Sequence, residues 1–383
     1  MAFNVKVLKV MKLWLEDDEN DKNKWKNIKT YYLSIVLFPS WGPLLLECCF
    51  SIFSPSADIV FKIQELLGTV CIIGAMYMGI CFVQNRKDIK NLLESIDNFA
   101  LYTDMNSKQV DQKASFYSKL VIAYGLLGTL IYTTSPLLSR SSCAVKRTQY
   151  EIDHGKPCGI IVALRLPFRY DITPTFQLMI LHEMLTAGMT ALLVVSITML
   201  ICGILEHAIS QLKEVRKCIL NLGQASDEEI VQSVGFAVRY HCAVIEFIER
   251  VNECFGSQLV LHFTLTSIVI SLLGFEMLMV NDVKESVMYA LHLIGWLIIL
   301  YNICHYGQRL IDQSIGVAED AYFSPWYKFS VGMQKDIKLI IIRAQKPLTL
   351  NAVNLGILSD PTFLGVISSA YSYFTLLLKI KNP

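Results

Sequence analysis

Residues 361–380 read PTFLGVISSAYSYFTLLLKI, from Pro361 to Ile380, and only Lys381, Asn382 and Pro383 follow. Leu364, Ile367, Tyr371, Phe374 and Leu378 recur at intervals of three and four, the spacing of one apolar helix face. Gly365, Ser368, Ser372, Thr375 and Lys379 recur in the same way on another side. A helix that only had to sit in lipid would gain nothing from that second face. Small and hydroxyl side chains suit close helix packing or the wall of a water-filled path. The stretch predicts a membrane-spanning helix with two distinct sides, and with it an all-α, polytopic membrane fold.

Composition points the same way. The 383 residues are 53% hydrophobic and 17% charged, against roughly 25% charged in soluble proteins, and the mean hydropathy is +0.44. A net charge of +1 supplies no basic excess for nucleic acid. The length would accommodate two soluble domains, but apolar runs spread along the whole chain imply one membrane domain, residues 1–383.

A spanning helix needs about 20 largely apolar residues, and seven stretches qualify: Leu33–Phe53, Ile63–Val83, Tyr117–Leu138, Gln177–Gly203, Gln258–Val280, Val287–Tyr306 and one within Leu350–Ile380. Asp360-Pro361 interrupts the last, because the residue before a proline is pushed out of helical geometry. A short helix over Leu350–Leu358 followed by the spanning helix is expected. Residues 1–30 carry seven lysines and no apolar run of signal-peptide length. Val7, Val10, Met11 and Trp14 alternate there with Lys6, Lys9 and Lys12, the pattern of either a short helix on the membrane surface or a solvated tail. With the N-terminus cytosolic, the inside segments hold 23 Lys and Arg and the outside segments 10. That distribution, and the lysines before the first span above all, favours a cytosolic N-terminus and an extracellular C-terminus. Helical spacing continues through the inside loops, over Leu212, Val215, Ile219 and Leu222 and over Phe236, Tyr240, Val244, Phe247 and Val251. Residues 205–257 and 307–358 are therefore expected as cytosolic subunit-contact regions.

This topology resembles the insect odorant receptor family. The segment Pro347–Ser359, the break at Pro361 and the run Ser369-Ala370-Tyr371-Ser372-Tyr373-Phe374-Thr375 look like that family's closing signature, and Ala321-Tyr322 with Trp326-Tyr327 looks like its last inside loop. The N-terminal half matches in topology alone. The resemblance implies an odorant-gated cation channel of the plasma membrane, in which variable odorant-binding subunits join a shared coreceptor as a tetramer. Four copies of the last helix, 361–380, would surround one pore. Tyr373-Phe374 match the family's aromatic step, and its hydrophobic gate then falls on Leu376 and Ile380, on the same side as Ser372 and Lys379. A ring of branched aliphatic side chains closes a narrow pore by dewetting. Lys379 departs from what a cation path wants, so it either snorkels outward or leaves permeation to the coreceptor.

By the same resemblance, a volatile odorant or pheromone sits among the second, third, fourth and sixth spans, with help from the fifth. Candidates at the right depth are Ile73 and Tyr77, Leu127 and Ile131, Met184 and Gly188, and His292 with Trp296. Tyr77 and Trp296 combine an apolar body with a polar handle, and Met184 adapts its shape. Each of these residue types is also ordinary core packing. Glu47, Glu183 and Glu276 lie toward helix ends and read as hydrated or paired carboxylates, with His182 beside Glu183 as a candidate for a polar head group.

Cys48, Cys49, Cys71, Cys81, Cys202 and Cys304 fall in spans and read as small apolar residues. Cys143 and Cys158 share the long outside loop and are the disulfide candidates. The sequence contains no HExxH, Cys-x-x-Cys, P-loop or Gly-x-Ser-x-Gly motif, so no enzyme, metal site or cofactor is expected. A G-protein-coupled receptor would show Asp-Arg-Tyr and Asn-Pro-x-x-Tyr motifs, and a transporter inverted repeats. Neither is present, and a gustatory-type receptor channel is the nearer alternative.

Overall fold

The computed structural model describes residues 1–11, 13–14, 41–50, 52–53, 59–138, 140, 157–161, 172–224, 227–280, 282–353 and 356–381. Six helices are long and apolar enough to cross a membrane: α3 (Ile59–Glu94), α4 (Ser107–Leu138), α5 (Thr175–Leu220), α6 (Asp227–Met279), α7 (Val283–Phe323) and α9 (Asp360–Lys381). A shorter apolar helix, α2 (Trp41–Phe50), takes the place of the first expected span, whose residues 33–40 lie outside the described part. The amphipathic helix α1 (Ala2–Val10) precedes it, and α8 (Val331–Ala344) lies between α7 and α9.

At about 1.5 Å per residue, the 46-residue α5 is about 70 Å long, more than twice the ~30 Å hydrocarbon core. Together α5, α6 and α7 run far beyond any bilayer and build a platform at one end. Leu212, Val215, Ile219, Leu222, Tyr240, Val244, Phe247 and Val251 are all buried there. Several charged groups inside the bundle are paired. Glu206 accepts from Lys113 at 3.0 Å and from Arg309 at 2.7 Å, so its carboxylate joins α4, α5 and α7. Arg216 donates to both oxygens of Asp320, at 2.6 and 3.3 Å, and to Gln313.

Two expectations need correction here. The N-terminal helix does not lie free on a surface. It docks on α4 and α5, with Leu8 fully buried and Asn4 donating to Ser118 at 3.0 Å, because its apolar residues find a protein groove. Leu350–Val353 and Gly356–Leu358, expected as parts of a short helix, pair antiparallel instead: Asn351 bridges Ile357, and Leu358 N–H donates to the Leu350 carbonyl at 2.9 Å. Asn252 on α6 explains it. Its side chain donates to the Thr349 carbonyl and accepts from the Asn351 N–H, tying the start of this segment to α6. Gly356, at φ +148°, takes a backbone conformation that other residues avoid. Gly307 lets the end of this turn lie against α7, since a Cβ there would stand 2.2 Å from the Leu358 carbonyl oxygen.

The break itself falls where Pro361 puts it. Proline suits the first turn of a helix, where its missing N–H leaves no bond unmade, and α9 starts at Asp360.

Candidate functional site

A cavity of about 210 Å³ opens inside the bundle, near the starts of α3, α5 and α7 and the end of α4. From α3 it is lined by Leu67, Gly68, Cys71 and Ile72, and from α4 by Tyr124, Gly125, Gly128, Thr129 and Tyr132. Helix α5 presents Glu183, Thr186, Ala187 and Thr190, and α7 presents His292, Gly295 and Trp296. The lining is mostly aliphatic, aromatic or glycine, the chemistry of a small-molecule pocket. Gly128 leaves open space where a side chain would stand.

His292 and Trp296, singled out from the sequence, both line this cavity. Trp296 Nε1–H donates to His292 Nε2 at 3.2 Å, and the imidazole stands edge-on to Tyr132 with ring centroids 5.3 Å apart. The other six candidates do not reach it. Ile73, Tyr77 and Leu127 are 50%, 40% and 58% exposed on the outer surface of the bundle. Ile131, Met184 and Gly188 are partly buried but lie off the lining. The depth is right and the rotation is not: Ile72, Gly128, Tyr132, Glu183 and Ala187, each one residue away in sequence, are the lining residues. One residue along a helix is a turn of about 100°.

Leu44 of α2 and Ile161 of the segment before α5 also line the cavity, and no periodicity in the sequence marks them. The small and polar residues of α4 do carry a usable signal, because Gly125, Gly128, Thr129 and Tyr132 share one side while Leu120, Leu127 and Leu130 are exposed. In lipid the leucine face is the outer one.

Glu47, Glu183 and Glu276 are all buried. Glu183 accepts from the Ile161 N–H at 3.0 Å, while its neighbour His182 stays off the lining. Cys158 is disulfide-bonded, and Cys143 lies outside the described residues. Cys48, Cys49, Cys71, Cys81, Cys202 and Cys304 are free. Among the described residues no cluster of His, Cys, Asp and Glu could hold a metal ion.

Helix α9 packs against α6 and α7. Its buried seam is Phe363, Val366, Ile367, Ala370, Phe374 and Leu377, so Leu364 and Tyr371, read as part of the apolar stripe, are instead exposed. The exposed side carries Gly365, Ser368, Ser372, Leu376, Lys379 and Ile380, with Leu376 and Ile380 at 55% and 56% exposure.

The family model described as 7tm odorant receptor matches residues 58–371. The chain belongs to this odorant receptor family. It is a multi-pass membrane protein, not an enzyme. Odorant receptor 67c of Drosophila melanogaster is 31% identical over 151 residues, 39% of this chain and 37% of that protein. The odorant receptor coreceptor of Harpegnathos saltator is 28% identical over 159 residues, 40% of this chain and 33% of that protein. Each match thus spans only about a third of the relative's length. The insect olfactory receptor OR5 from Machilis hrabei, solved in complex with eugenol, superposes with a TM-score of 0.80 over 98% of this chain and 97% of that one, at 16% identity. The odorant receptor fold is therefore shared over nearly the whole chain.

Proposed function

We propose that this chain is the odorant-binding subunit of a ligand-gated cation channel of the plasma membrane, assembled as a tetramer with the shared coreceptor. The observation that carries the reading is the unpartnered side of α9. Gly365, Ser368, Ser372 and Lys379 lie opposite a fully packed seam, and Leu376 and Ile380 stand among them. Small hydroxyl residues broken by branched aliphatics suit a hydrated path with a constriction that dewets, and four such helices complete it. Lys379 on that side repels cations, which makes permeation depend on the coreceptor's copies of the helix. The family's coreceptor relatives support that partner.

A volatile odorant or pheromone binds in the cavity among α3, α4, α5 and α7, as the eugenol complex of the Machilis hrabei receptor suggests for a shared fold. Burial of apolar surface supplies most of its affinity, roughly 25 cal/mol per Å². Pairing of Cys158 with Cys143 would fasten the loop that ends at Ile161, whose side chain lines the cavity and whose N–H rests on Glu183. Non-reducing mass spectrometry that found a free Cys143 thiol would remove that pairing. The platform regions 205–257 and 307–358 serve as the subunit contacts on the cytosolic side, with the N-terminus inside and the C-terminus outside.

Whole-cell current from the chain, with and without the insect coreceptor, tests the function. An odorant-evoked cation current that needs the coreceptor and survives G-protein blockade is the expected result. Leu376→Ala is expected to raise the ligand-free current severalfold. An unchanged resting current would move the gate elsewhere on α9.

A further inference from the structure

We propose that the cavity selects ligands carrying a hydrogen-bond acceptor, a ketone, ester or ether oxygen on a compact apolar body, and that His292 Nδ1–H receives it. This rests on reading the cavity as the ligand site.

The protons of the lining decide what the cavity can offer a guest. Thr129, Thr186 and Thr190 each donate their hydroxyl to a backbone carbonyl one helical turn back, at 2.8 Å. Tyr124 donates to the Leu291 carbonyl at 2.6 Å. These four line the cavity but have no proton left to give, while the Tyr132 hydroxyl and the Cys71 thiol are further donors of the lining. Glu183 is engaged by the Ile161 N–H.

His292 differs. The Trp296 indole is a donor only, so the 3.2 Å contact requires a lone pair on His292 Nε2. An imidazole with a lone pair on Nε2 carries its proton on Nδ1. That Nδ1 is buried and has no hydrogen-bond partner among the described residues, and no other cavity-lining residue holds a buried side-chain atom in that condition. A buried donor without a partner destabilises its surroundings until something meets it. Only an acceptor can. Histidine χ2 is a broad torsion, so a small turn of the ring presents the N–H to a guest. The volume sets the size: about 210 Å³ lies below the roughly 300–1,000 Å³ typical of drug-sized ligands.

Trp296 is thus a specificity residue that acts through its neighbour. It fixes which imidazole nitrogen carries the proton, and so whether the site offers a donor or an acceptor.

The test uses the purified full-length chain in lipid nanodiscs, with affinities read from ligand-dependent thermal shifts. The probes are 2-hexanone and 2-methyl-1-hexene, which replaces the carbonyl oxygen by a methylene of similar shape, with 1-hexylamine as a cationic donor. The ketone is expected to bind about tenfold tighter than the alkene, the yield of one well-met buried donor. His292→Phe is expected to bring that ratio near one with the alkene's affinity nearly unchanged. Trp296→Phe frees the tautomer and is expected to lower the ketone's advantage while improving binding of 2-hexanol, an inversion that a merely structural role would not produce. A wild-type ratio near one, a ratio that survives His292→Phe, or an amine that outranks the ketone would overturn the proposal. In those cases Gly128→Leu weakening every probe would leave the cavity itself as the binding site. Failure of every probe to bind would remove the cavity reading, and this inference with it.

Discussion

The platform end and the cavity end of the bundle use the same residue types in opposite ways. In the platform, glycine is a place of contact: a Cβ at Gly307 would meet the Leu358 carbonyl oxygen at 2.2 Å, and one at Gly316 would meet the Arg216 guanidinium at 2.4 Å. Around the cavity the lining glycines are looser: Gly128 has nothing within 4 Å of where a Cβ would stand, and the tightest, Gly295, would meet Tyr124 at 3.3 Å. Polar groups divide likewise. Glu206, Arg216 and Asp320 are held by named partners, whereas His292 Nδ1 and Glu276 Oε1 are buried without one. Closed packing with satisfied charges makes a rigid support. Open packing with an unmet polar atom leaves a site that a guest completes.

Arg216→Ala should have the largest effect. It strands Asp320 in a mostly buried position, and removing one member of such a pair costs about 3 kcal/mol or more. The thermal midpoint of the purified chain should fall clearly, and a midpoint within a degree or two of wild type would erase the contrast between the two ends. Gly307→Ala comes next, at about 1–3 kcal/mol, because the obstacle is backbone and must be pushed aside. Normal stability in that variant would mean that the Leu350–Leu358 turn gives way easily and is no anchor. Gly128→Leu is the smallest in stability, within about 0.5 kcal/mol, yet it should cut ligand affinity by filling the cavity. If it lowered stability as much as Gly307→Ala while leaving affinity untouched, the cavity end would be ordinary core.

The platform was legible because its helices alternate apolar and charged residues, and Leu212, Val215, Ile219 and Leu222 are buried as that alternation requires. Inside the membrane the same logic misleads. Lipid is as apolar as a protein interior, so Ile72 and Ile73 look alike in sequence, although one lines the cavity and the other is half exposed. His292 and Trp296 were chosen by depth, as the other six candidates were, and these two face inward. The turn at 350–358 was missed because its determinant, Asn252, lies about a hundred residues earlier and acts only through space.

Length, apolar spacing and Pro361 are local properties, and they were enough to determine the six long helices and the break before α9. The rotation of each helix about its axis and the antiparallel pairing of Leu350–Val353 with Gly356–Leu358 were decided by contacts between distant segments. The physical reason is the absence of a hydrophobic contrast across a membrane helix. Where lipid and core are equally apolar, only packing and hydrogen bonds choose which face turns inward.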